Sequence, residues 1–249
     1  MDKKALFHFY GSLQDFLPKV RKGLSIPYTF TGTPAVKDAI EAIGVPHVEV
    51  EAIRVEEKWI GFYDKLQEHD QVHVYPFDAS LTLPAFYSLR PDIQEPVSFI
   101  LDVHLGSLAR LLRLLGFDTA YHQSYNDSII AKRAAEEHRI VLTRDIGLLK
   151  HRSIQWGYWL RSQYAEEQIF ETIKRYHLQQ KFRPFSRCLV CNHPIVPVLK
   201  EAVAEKIPHN ALLYFDSFYQ CTNCKKVYWK GSHYERMMDT VDRIKVAFE

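Results

Sequence analysis

The tightest constraint on this chain is the placement of its cysteines. It has four in 249 residues, and all four fall between positions 188 and 224. They form two C-x₂-C pairs, "CLVC" at 188–191 and "CTNC" at 221–224, separated by 29 residues. A C-x₂-C pair makes a tight knuckle whose two thiolates point at one centre, and two knuckles complete a tetrahedral set. The long separation exceeds that of a compact finger and suits a ribbon with extended strands. A redox C-x-x-C is the alternative for either pair alone, but two pairs in one small region favour metal. Cys188, Cys191, Cys221 and Cys224 are therefore expected to hold a structural Zn²⁺. His193 and His233 lie nearby and are not assigned as ligands.

The chain divides by pattern. Residues 1–77 read as a small α+β unit. "KALFHFYGSL" and "YTFTG" are rich in aromatic and β-branched residues, as strands are. In "TPAVKDAIEAIGV", Thr33 is placed to cap a helix, Pro34 to open it and Gly44 to end it. "HVEVEAIRV" alternates, and "DQVHVYP" gives a last short strand. The order strand, strand, helix, strand, strand, with a short helix near "FYDKL", fits a β-grasp unit. Residues 78–96 hold three prolines without a clear period and read as a linker. From 97 to 182 short apolar strands alternate with helices, which implies a parallel α/β sheet. "GSLARLLRLLG" places Leu108, Leu111, Leu112 and Leu115 on one helical face. Residues 183–249 carry the cysteine ribbon and a C-terminal helix.

Within 97–182 three carboxylates stand out. Asp102 ends the apolar strand "VSFIL". Asp145 follows the strand "IVLT" in "RIVLTRDIGLLK". Asp127 opens the helix between them. Strand ends and helix starts share one edge of an α/β layer, where ligands gather. Converging carboxylates repel one another and are tolerated with a hard cation among them, which for all-oxygen ligands is Mg²⁺ or Mn²⁺. Such a site orients water for in-line attack on a phosphodiester. Structural readings compete. Asp127 stands three residues after Ser124, at capping-box spacing. Asp145 can cap the helix at "IGLLK". Asp102, inside an apolar stretch, needs a partner in either case.

Cations accompany these acids. Arg110, Arg113, Arg144, Lys150 and Arg152 lie in the same segment and suit either substrate phosphates or ion pairing with the aspartates. Around the second knuckle, Lys225, Lys226 and Lys230 interleave with Tyr228 and Trp229, a mixture that grips single-stranded nucleic acid or fills a ribbon core. A net charge of only +2 excludes an obligate nucleic-acid coat protein, so any nucleic-acid site is a local patch.

Together, "FILDVHLGSLARLLRLLGFD", "IVLTRD", "RCLVCN" and "CTNCKKVYWKGSHYERM" resemble the Mut-7 C-terminal ribonuclease family. That family joins a PIN-like nuclease domain to a four-cysteine zinc ribbon. Residues 1–77 are similar to the ubiquitin-like β-grasp domain that often precedes the nuclease. The resemblance implies a metal-dependent ribonuclease with Asp102, Asp127 and Asp145 as catalytic Mg²⁺ or Mn²⁺ ligands. It implies substrate contacts from Arg110 and Arg113, and Arg144 joins them from its place beside Asp145. Many PIN domains carry a fourth acid after the third strand. Here Glu166, Glu167 and Glu171 follow, in no clear motif. RNA, including tRNA or other structured RNA, is the expected partner, and the β-grasp unit is a docking module for a protein. The rival reading is a non-catalytic RNA-binding protein that uses the PIN-like face and the ribbon. No apolar run reaches eighteen residues and the N-terminus lacks signal-peptide features, so a cytoplasmic location and no membrane span are expected.

Overall fold

The computed structural model describes residues 2–77 and 88–248. In chain order the first elements are β1 (Lys3–Phe9), β2 (Ile26–Phe30), α1 (Val36–Ile43), β3 (Val50–Val55), β4 (Lys58–Ile60) and β5 (Gln71–Pro76). Next come β6 (Ser98–Leu101), α2 (Gly106–Leu114), β7 (Asp118–Ala120), α3 (Asp127–Glu136), β8 (Ile140–Thr143), α4 (Ile146–Leu149), β9 (Gly157–Trp159) and α5 (Ala165–Tyr176). The last part holds β10 (Ile195–Val198), α6 (His209–Tyr214), β11 (Phe218–Cys221), β12 (Val227–Trp229) and α7 (Ser232–Val246). Two compact units result. One comprises residues 1–94 and 131–159, the other 95–130 and 160–249.

In the first unit, β1 to β5 form a mixed sheet in the order β2-β1-β5-β3-β4, with β1 and β5 parallel and the other pairs antiparallel. This is the β-grasp arrangement expected, with one strand more. Strand alternation decides the core: Ala5, Phe7 and Phe9 of β1 are buried while their neighbours are not. They meet Val36, Ala39 and Ile40 of α1 and Val72 and Val74 of β5. Each large side chain so buried stabilises the unit by about 1.5–3 kcal/mol. Gly44 ends α1 at φ +130°, a conformation that side-chain-bearing residues rarely adopt.

Two local expectations are corrected here. The helix start is not capped by Thr33. Ala35 stands at the cap without a side-chain bond, and the amides of Val36 and Lys37 donate to the carbonyls of Asp64 and Phe62. For the same reason "FYDKL" is not a helix. Its backbone is drawn out to serve the first turn of α1, with Ala35 and Lys65 bridged antiparallel and Leu66 donating to the Pro34 carbonyl. Of the expected linker, residues 78–87 lie outside those described. Residues 88–94 pack within the first unit through Arg90, whose guanidinium donates to the carbonyls of Val50 (3.0 Å) and Val48 and stacks over Trp156 at 4.6 Å.

Rings ladder across the β-grasp sheet. His8 and His73 stack with centroids 4.7 Å apart, and the Tyr10 hydroxyl meets His73 Nδ1 at 2.8 Å. Burial, then the nearby charges of His8 and Arg54, lower the His73 pKa below 6.5. The unfolded chain therefore binds a proton there that the folded chain resists, so this contribution is present above about pH 6.5 and is lost on acidification. Replacing His73 by Gln should flatten the fall in urea midpoint between about pH 7.5 and 5.5. An unchanged slope would assign that fall to other groups.

The same unit contains β8 and β9, a parallel pair with Val141 opposite Gly157. All four residues of β8 are buried, as a strand covered on both faces requires. In the second unit β6 and β7 are also parallel, with Ser98 opposite Asp118. Leu108 and Leu112 of α2 are fully buried, and α2 packs against α5. Gly116, at φ +94°, terminates this stretch. A Cβ there would lie 2.2 Å from the Arg183 carbonyl oxygen, so only glycine admits the close passage of the chain after α5. The remaining strands form the antiparallel sheet β10-β11-β12 over Val203, Ile207 and Phe218. Among the described residues, no helix is long and apolar enough to cross a membrane.

Candidate functional site

The cysteines converge. Their four sulfur atoms all lie within 4.8 Å of one another. The two knuckles meet, Cys191 lying 3.3 Å from Cys221 and Cys188 3.6 Å from Cys224. A lone redox C-x-x-C has no need of a second pair at the same centre. Cys188 and Cys221 are buried, and burial raises the Cys221 pKa above 9.0. At Cys191 the backbone bond at His193 and the adjoining thiols overcome burial and hold it at about 5. Burial, reinforced by the neighbouring sulfurs, pushes Cys224 up to about 12. Four crowded thiols cannot all ionise without a cation at their centre, and this donor set fits Zn²⁺.

Two residues tie the first knuckle to the α/β layer. Arg113 is only 5% exposed. Its Nε and Nη2 donate to the Thr119 carbonyl at 3.0 and 2.9 Å, and its Nη1 to the carbonyls of Val190 (3.0 Å) and Leu189 (3.3 Å). The expectation that Arg113 grips RNA phosphate is therefore corrected: the guanidinium is turned inward and spent on backbone carbonyls. Asn192, in the left-handed region at φ +71°, accepts from the Thr119 amide and donates to Asp118. Arg113→Ala would leave several buried carbonyls unpaired, at an expected cost of about 2–4 kcal/mol. Urea unfolding measures that loss, and retention of zinc by the variant at wild-type strength would contradict the tie.

The aspartates are placed as follows. Asp102 directly follows β6, is 7% exposed, and its Oδ1 accepts from the His104 amide at 2.8 Å. Asp145 follows β8 and is exposed; its Oδ1 accepts from the Gly147 amide at 2.6 Å and so caps α4. The Asp145 amide itself donates to Thr143 Oγ1 at 2.8 Å. Asp127 is exposed at the start of α3, but the cap there is Asn126, whose Oδ1 accepts from Ile129 at 2.9 Å. Ser124 instead bonds His122 at 2.7 Å, so the capping-box reading fails. Arg110 and Arg144 are exposed. Glu171, a candidate fourth acid, receives the amides of Arg161 and Ser162 at 2.8 Å each. Glu167 accepts from the Ser162 hydroxyl, and Glu166 pairs with Arg243 at 3.7 Å.

The segment carrying Asp145 is braced by the β-grasp residues of its own unit. Lys150 Nζ donates to the Glu41 carbonyl at 2.8 Å, and His47 joins Glu41 Oε1 (2.6 Å) to the Ile154 carbonyl (3.1 Å). Burial pushes the Glu41 carboxyl upward, but its bond to His47 and the charges of His47 and Lys37 bring it below 4.5. Glu49, fully buried, accepts from the Trp159 amide at 2.7 Å. Sequence reasoning missed Glu49 and Glu41. An acid in an alternating strand or a polar helix face carries no mark of a partner about a hundred residues away.

A β-grasp unit, parallel α/β strands and a four-thiol ribbon define a class: an α/β protein with a ubiquitin-like N-terminal unit and a four-cysteine cluster compatible with structural zinc. Residues 97–241 match the Mut7-C RNAse domain, and residues 2–82 match the Mut7-C ubiquitin domain. The first match covers more than half of the chain, and the protein belongs to the Mut7-C RNAse domain family. No curated protein and no solved structure matched.

Proposed function

We propose that this protein is a metal-dependent ribonuclease in which Asp102, Asp127 and Asp145 hold Mg²⁺ or Mn²⁺. The observation that carries the reading is the match to the RNAse domain over 97–241, on a chain in which Asp102 directly follows β6 and Asp145 stands two residues after the end of β8, each a strand of a parallel pair. The donor set is all carboxylate oxygen, which suits a hard cation. When bound, that cation activates water for attack on phosphorus and offsets the charge that develops on the phosphate.

The chain's own residues prepare this chemistry. The His104 amide fixes one oxygen of Asp102 and the Gly147 amide one oxygen of Asp145. The Asp145 carboxylate caps α4 through Oδ1 and has a second oxygen, so capping and metal binding are compatible there. The Trp159 indole donates to the Arg144 carbonyl at 3.1 Å and steadies the T-R-D turn. The exposed guanidiniums of Arg110 and Arg144 contact the RNA backbone, whereas Arg113 holds the ribbon. The β-grasp unit positions the Asp145 segment through Lys150, His47 and Glu49, and a protein partner docks on the same unit.

The test is incubation of the pure, zinc-loaded protein with single-stranded RNA and with tRNA, with and without added Mg²⁺ or Mn²⁺. Cleavage that requires the added ion supports the reading. Tight, salt-sensitive binding without cleavage would favour the non-catalytic RNA-binding alternative.

A further inference from the structure

Where the ribbon meets the start of α7, the second unit carries two adjoining cavities of about 260 and 300 Å³. Tyr228, Trp229 and Tyr234 belong to both linings. Trp229 packs partly buried against the ribbon core of Val203, Ile207 and Phe218, whereas Tyr228 and Tyr234 are not among the residues packed there. Tyr234 projects from α7 onto Phe185, with ring centroids 4.5 Å apart.

The charge around these cavities has one sign. Lys230 lines the first and Arg110 and Lys226 line the second, and among the described residues neither lining contains an Asp or Glu. Lys226 Nζ lies 6.0 Å from the Tyr228 ring centre and Lys230 Nζ 5.8 Å from that of Tyr234. All three cations are exposed. Gly231 and Ser232, at the N-terminus of the 15-residue helix α7, line the second cavity, and no side chain caps that first turn. Amide donors there add to the attraction for an anion. In a chain of net charge +2, an acid-free cleft with aromatic walls is a local feature. It matches a ligand that alternates flat rings with negative charges.

We propose that this cleft binds single-stranded RNA, with a base stacking on Tyr234 and phosphates meeting Lys226, Lys230 and Arg110. The inference rests on the ribonuclease reading for its choice of nucleic acid and gives the ribbon a second task, holding the substrate strand. Single strands are favoured because a duplex keeps its bases stacked and unavailable.

The experiment measures anisotropy of a fluorescein-labelled oligouridylate titrated with the full-length, zinc-loaded protein, without added Mg²⁺ or Mn²⁺. Tyr234→Ala should weaken binding by about tenfold, the loss expected for one stacked base, and Tyr234→Phe should restore it. A Lys226→Glu, Lys230→Glu variant should bind at least about tenfold more weakly, with a shallower dependence on salt. These lysines are exposed, so this second variant decides the matter if Tyr234→Ala fails to fold. Zinc content reports an intact ribbon in each case. Wild-type affinity in both variants, or no RNA binding by the wild type, overturns the cleft. Cleavage separates the two proposals: RNA bound through the cleft but never cut removes the nuclease reading alone. Cleavage with unchanged KM in the cleft variants removes the cleft alone.

Discussion

Cys188→Ser should release zinc and melt the ribbon, the largest stability change expected from any single substitution in this chain. Cys188 and Cys221 are fully buried, and the ribbon's apolar cluster is small: Val203, Ile207 and Phe218, with Val198, Leu212, Phe215, Val227 and Trp229 partly buried against it. A core of that size does not hold a fold by itself. In small zinc modules metal binding contributes apparent free energies of about 10–16 kcal/mol, so losing one of four ligands exceeds what the remaining packing supplies. The Tyr228 hydroxyl lies 3.1 Å from the Cys188 sulfur, and Arg113 grips the carbonyls of Leu189 and Val190 inside the same knuckle. The defect should therefore reach α2 and β7. Zinc analysis and near-ultraviolet circular dichroism measure both parts. A purified protein that is folded yet free of zinc would remove the metal from this account.

Much of this was legible in the sequence where spacing alone carries the physics. Two C-x₂-C pairs can hardly do other than converge once the strands between them pair, and Cys191 and Cys221 do meet. Alternation in "HVEVEAIRV" marks β3. Strand β4 was not legible, because its hairpin turns through Glu56 and Glu57, with Glu56 at φ +51°, instead of through Gly or Asn. The cap at α3 was misplaced by two residues because Ser124 and Asn126 both suit the role, and only tertiary context hands Ser124 to His122. Arg113 was legible as a charge but not in its direction. A guanidinium can be buried when carbonyls from β7 and the first knuckle satisfy it, and those carbonyls lie up to 77 residues away. The brace from the β-grasp unit to Lys150 was invisible for the same reason, since its acceptor is a backbone oxygen.

Asp145 stands at the centre of the functional claim, and it allows a clean substitution. Asparagine is as good an N-cap as aspartate, so Asp145→Asn keeps the bond to the Gly147 amide and the start of α4. What it removes is the negative charge that a hard cation requires. Losing one charged ligand from a three-carboxylate site removes several kcal/mol of stabilisation of the developing phosphate charge, and each 1.36 kcal/mol is tenfold in rate. The decisive measurement is the rate of Mn²⁺- or Mg²⁺-dependent cleavage of single-stranded RNA by Asp145→Asn beside the wild type, with equal zinc content and equal urea midpoints. A fall of about 100-fold or more is the result this account predicts. Cleavage at the wild-type rate would contradict it.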